Sequence, residues 1–206
     1  MNRCIPRFRW ALIALIALSP VGCSKAPTPP VVEAQAPRGD SPEAALRLLE
    51  WCWNQRDMWR YAGLLSNDFV FEFAVPAAGD LGRVESWDRV DERTSVSNLL
   101  IGTVDRPAAT NVRLTLDENF RVQADPRPGK NPTWHKAVVS NLVLSAHVDG
   151  VPAELVGATT FYLVRGDSAS VPRKWVDRTI PASRLWFVER WEDGTGEVGA
   201  LKAKYR

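Results

Sequence analysis

Ala45, Leu48, Leu49 and Cys52 fall at i, i+3, i+4 and i+7, the stripe of an amphipathic helix, and Trp53 extends it from Leu49. Ser41-Pro42-Glu43 just before the stripe supplies a capping hydroxyl, a proline at the first helical position and an acid in the first turn. Asp57 is placed to cap a second, short helix over 58–65, which Ser66-Asn67-Asp68 ends. The period then changes to two: Phe69, Phe71 and Phe73 alternate with Val70, Glu72 and Ala74, predicting a strand over 69–75 with three rings on one face. Residues 76–80 read as a turn and 81–84 as a short returning strand. Ser86 is the expected cap of a third helix over 87–101, stopped by Gly102.

The remaining pattern is strand and turn. Apolar alternation predicts strands over 112–116, 120–123, 134–148, 155–165 and 184–191, separated by the turn-rich DPRPGKNP stretch and by Asp149-Gly150. Helices first and mostly antiparallel strands afterwards make an α+β fold, a curved sheet of about five or six strands around the helices.

The first 22 residues differ from all this. Arg3, Arg7 and Arg9 precede an unbroken apolar run, 11–18, too short to cross a bilayer core of ~30 Å at ~1.5 Å per residue. That is the pattern of a secretory signal, 1–22. Residues 23–40 contain Pro27, Pro29, Pro30 and Pro37 without periodicity, and read as an extended spacer reaching up to roughly 50 Å. The domain is expected over 41–206. Without its three-arginine leader the net charge falls from +2 to −1, which argues against a nucleic-acid binder.

The segment Ser19-Pro20-Val21-Gly22-Cys23 resembles a bacterial lipobox, with Gly22 and Val21 as in that pattern and Pro20 where leucine is usual. The resemblance implies cleavage before Cys23, acylation of its sulfur and anchoring in the cell envelope. Ser24 after it implies, by analogy with lipoprotein sorting, the outer membrane facing the periplasm. The mature domain then keeps one thiol, Cys52, whose place on the helical stripe predicts a buried apolar role.

The element order, with SPEAALRLLEWCWNQRDMWRYAGLLSNDFVFEF at the start, WDRVDERTSVSNLLIG in the middle and RLWFVERWED at the end, resembles NTF2-like (cystatin-like) cones of bacterial lipoproteins. That resemblance implies a cavity between sheet and helices, used in such proteins for isomerase, dehydratase or hydrolase chemistry, for ligand binding, or only for packing. Trp51, Phe71, Phe73, Tyr162, Phe187 and Glu189 are the expected lining. Glu189 shares a phase with Leu185, Phe187 and Trp191, and enters the cavity only if that face turns inward. Glu72 has the opposite phase to the phenylalanines and is expected at the surface.

No Ser-His-Asp order, phosphate loop or two-histidine metal spacing stands out, so no catalytic residue, metal or cofactor is assigned. The expectation is a membrane-anchored domain that binds a small apolar or aromatic ligand or acts as an envelope scaffold, without turnover, with a small apolar ligand or an envelope protein as partner; a homodimer is compatible with it. The alternative is a cofactor-independent lyase or isomerase with Glu189 or Asp68 as base.

Overall fold

A computed structural model describes residues 35–75, 83–167, 169–172 and 179–206. Cys23, the signal, most of the spacer and the expected turn at 76–80 lie outside these residues. The domain spanning Gln35–Arg206 is α+β, and its described residues form four α-helices and a curved, unclosed sheet of seven strands.

Helix α1 (Pro42–Gln55) starts where the sequence places it. Ser41 Oγ accepts from Ala44 N at 3.1 Å, and Ala45, Leu49, Cys52 and Trp53 are buried. Helix α2 (Met58–Leu64) is capped by Asp57, which accepts from Arg60 N at 2.9 Å. Strand β1 (Leu65–Val75) begins four residues earlier than its phenylalanine pattern suggests. The Ser66-Asn67-Asp68 stretch interrupts its pairing instead of preceding it, since the register with the last strand shifts between Leu65 and Val70.

Strand β2 (Arg83–Asp88) runs through the expected start of the third helix. Trp87 lies opposite Phe71 in the antiparallel register and is buried with it, so aromatic burial carries the strand two residues past Ser86. Helix α3 (Arg89–Ile101) is therefore capped by Asp88, whose side chain accepts from Val90 N and Asp91 N at 2.7 and 3.0 Å.

Strands β3 (Thr110–Leu116), β4 (Arg121–Ala124), β5 (His135–Val148), β6 (Val151–Arg165) and β7 (Trp186–Asp193) complete the sheet in the order β2-β1-β7-β6-β5-β3. β4 shares the outer edge of β5 with β3. All pairs are antiparallel except β1 with β7.

Helix α4 (Glu197–Ala203) was not anticipated and closes the interior. Gly196 precedes it with φ +74°, and a Cβ there would meet Ala74 O at 1.8 Å. Gly199 lets the helix lie on β1: a Cβ there would stand 2.2 Å from Phe73 Cγ. Asp193 anchors this turn by accepting from Gly199 N at 2.8 Å and Thr195 N at 3.2 Å.

Candidate functional site

The space between sheet and helices is filled. Phe71 stacks on Phe73 and Trp87 with ring centroids 5.4 and 5.2 Å apart, and meets Trp191 edge-on at 5.2 Å. Trp53 packs edge-on against Trp191 and Tyr61, and Phe161 lies 5.2 Å from Trp191. Phe71 and Phe73, expected along a pocket wall, are core residues, because α4 occupies the volume in front of them.

What α4 inserts there is a lysine. Lys202 is fully buried, with Nζ 3.3 Å from the Phe71 ring centroid and 3.8 Å from that of Trp191. Its ammonium donates to Glu92 Oε1 at 2.8 Å and Oε2 at 3.0 Å. Glu92 also accepts from the Tyr61 hydroxyl and, at 3.0 Å, from Trp87 Nε1. Burial pulls the Lys202 pKa down to about 8 against the opposing pull of Glu92. Burial, then the Glu92 charge, pushes the Tyr61 phenol up. Cys52 is also interior, and burial raises its thiol well above the ordinary range, consistent with an apolar packing role.

Glu189 is buried outside this core. The β6–β7 register jumps from Tyr162↔Arg190 to Leu163↔Val188, leaving Glu189 as the extra residue of a β-bulge. The bulge lets both Val188 and Trp191 enter the main core, so neither of the two alternating faces considered for Glu189 describes it. Its carboxylate is held by the Arg127 guanidinium and, at 2.6 Å, by Lys130 Nζ. Arg127 also pairs with Asp125 at 2.6 Å and lies 4.1 Å above the Tyr162 ring. Tyr162 belongs to this latch over the 125–130 loop, and its hydroxyl donates to Glu192 at 3.2 Å.

Asp68, the other expected base, is exposed and accepts from Ser66 Oγ at 2.7 Å and Ser170 Oγ at 2.9 Å. Glu72 is half-buried and pairs with Arg190. Neither Glu189 nor Asp68 stands as a carboxylate in an apolar pocket, the setting that makes a general base near neutral pH. Trp51 is half-buried under Arg60, whose guanidinium carbon is 5.4 Å from its ring centroid.

An open cleft among the described residues lies elsewhere. A cleft of about 390 Å³ opens between the incoming chain at Gln35–Gly39, Leu48 of α1, Arg60 and Leu64 of α2, and the 185–187 stretch leading into β7. Of the expected lining residues only Phe187 borders it. Phe187 and Leu185 form a small apolar cluster with Val164 and Val171, apart from the main core. The incoming chain is tied down where Trp186 N donates to Gly39 O at 2.9 Å, and Gly39 itself takes φ +67°. Nothing in the primary sequence brings these segments together, because they come from four separate stretches without a shared motif.

Among the described residues no group of three or more His, Cys, Asp and Glu side chains is placed to hold a metal, and no helix is long and apolar enough to cross a membrane. No family model and no curated protein matches the chain. Solved structures with a similar trace include a protein of unknown function from Mycobacterium tuberculosis, at 13% identity and TM-score 0.43, covering 73% of this chain and 66% of that one. This chain therefore spans slightly less than two thirds of that protein. An NTF2-like protein with a cystatin-like fold from Novosphingobium aromaticivorans has 14% identity and TM-score 0.42, with 76% and 83% coverage. An NTF2-like superfamily protein from Salmonella enterica has 12% identity and TM-score 0.43, with 75% and 89% coverage. The described residues themselves form a mixed α+β chain with a curved, unclosed sheet.

Proposed function

We propose that the protein is an envelope lipoprotein, anchored through Cys23, whose domain captures a small, largely apolar ligand without turning it over. The observation that carries this reading is the cleft of about 390 Å³ bordered by Gln35–Gly39. Its volume falls at the low end of the ~300–1,000 Å³ typical of small-molecule sites. Its border is also the stretch of chain that continues the spacer, so ligand entry and membrane attachment lie at the same end of the domain's chain path. The filled interior supports binding over catalysis, since Trp53, Phe71, Trp191 and Lys202 occupy the space that a substrate would need, and the carboxylate there, Glu92, is paired with Lys202.

Mass spectrometry of the full chain expressed in a bacterial envelope tests both parts. Under denaturing conditions the expected product begins at residue 23 and carries a covalent lipid mass that Cys23→Ala lacks. Under native conditions an additional mass is expected that denaturation releases. Ala36→Trp, which fills the cleft from its rim, is expected to lose it. An unlipidated chain refutes the anchor, and a chain with no releasable mass refutes tight capture.

A further inference from the structure

We propose that the ligand of the cleft is an amphipathic anion, a carboxylate on an alkyl or aryl body, with its head between Arg38 and Arg60. This rests on the ligand-capture reading and narrows it. Among the described residues, those around the cleft include two arginines and no aspartate or glutamate. An apolar ligand alone gives no reason for that imbalance, whereas an anionic head does.

The two arginines are available in different ways. Arg38 is exposed and forms no ion pair among the described residues. Arg60 pairs through Nη1 with Asp57, the cap of its own helix, which occupies one edge of the guanidinium and positions it over Trp51. A guanidinium has five donors in a fixed fork, so Arg60 keeps donors for a second acceptor. The lining also includes the apolar side chains of Leu48, Leu64, Ile180, Leu185, Trp186 and Phe187. A lining that combines two arginines with apolar side chains is complementary to a molecule with one charged end. The cleft volume limits the body to a short alkyl chain or a small ring system.

The test compares heads on one body. The full-length chain in phosphatidylcholine nanodiscs is titrated calorimetrically with octanoate, 1-octanol and octyltrimethylammonium, and heats from empty nanodiscs are subtracted. Octanoate is expected to bind at least tenfold more tightly than octanol, and the ammonium least, since charge-assisted contacts are worth roughly 10- to 100-fold. Raising the salt concentration is expected to weaken octanoate and leave octanol unchanged.

The Arg38→Ala/Arg60→Ala double variant, checked for an unchanged melting temperature, is expected to lose the octanoate preference and keep octanol binding. Equal binding of octanoate and octanol to wild type, abolished by Ala36→Trp, overturns the anion assignment and leaves ligand capture standing. Octanoate binding unaffected by the double variant overturns the assignment as well. Binding of none of the three probes overturns both readings.

Discussion

Lys202→Met is expected to destabilise the domain by about 3–5 kcal/mol at pH 7, the usual cost of removing one partner from a buried ion pair. The variant leaves Glu92 fully buried with only Tyr61 and Trp87 as donors. It also removes the cation from between the Phe71 and Trp191 rings. Lys202→Met/Glu92→Gln keeps an acceptor for Tyr61 and Trp87 without the unpaired charge, and is expected to regain at least half of the loss. Urea melts of the three proteins check this. A loss below about 1 kcal/mol for the single variant is the range of an exposed pair and contradicts a buried one.

The same lysine sets a pH dependence with a definite sign. Its pKa in the folded chain is about 8, below the ordinary 10.5. Between those values the unfolded chain binds more protons than the folded one, so the Lys202 contribution to stability rises with pH. The penalty of burying the charged form is present at neutral pH and relieved as pH rises through about 8. The wild-type advantage over Lys202→Met is therefore expected to widen between pH 8 and 10. A flat or narrowing difference contradicts the assignment. Tyr61 acts in the opposite sense above its ordinary value of 10, which is why the comparison stops there.

Phe71→Ala carries the second large effect, about 3–5 kcal/mol for a fully buried ring. Against a typical total of about 5–15 kcal/mol, that loss leaves a marginal domain. The ring touches Phe73, Trp87, Trp191 and the Lys202 ammonium, so its removal also exposes one side of the ion pair to a void. At temperatures where the variant remains folded, ligand affinity is expected to be unchanged, because the cleft borders none of these residues. A folded Phe71→Ala protein with weakened ligand binding places the site between sheet and helices instead.

Local chemistry made the first helices and the aromatic strand legible: a Ser-Pro-Glu cap, a stripe at i, i+3, i+4, i+7, and three alternating phenylalanines. Helix α4 was hidden although Val198, Leu201, Lys202 and Tyr205 have the same spacing and are all buried. A lysine in the stripe breaks the apolar pattern, and only Glu92, 110 residues away in sequence, explains why it is there. Ser86 and Asp88 are both competent caps, and the pairing of Trp87 with Phe71 decided between them.

Glu189 was misplaced for a different reason. A period of two assigns every second residue to one face, and a bulge inserts a residue that this counting cannot register. The cleft was illegible because its walls meet only through packing of α1, α2, the incoming chain and the start of β7. Leu48 gave a partial signal: it belongs to the α1 stripe, yet it is only half-buried because its face opens on the cleft.

The interior is a packed core, and the proposed ligand site is the cleft beside the incoming chain. The indole N–H signals of the eight tryptophans that follow residue 22 provide the most direct test, assigned by single Trp→Phe variants and followed by NMR through an octanoate titration. The account predicts that Trp186, which borders the cleft, shifts with a saturating profile while Trp53, Trp87 and Trp191 stay in place. Shifts at Trp53 or Trp191 with Trp186 unmoved would contradict it and return the binding site to the space between sheet and helices.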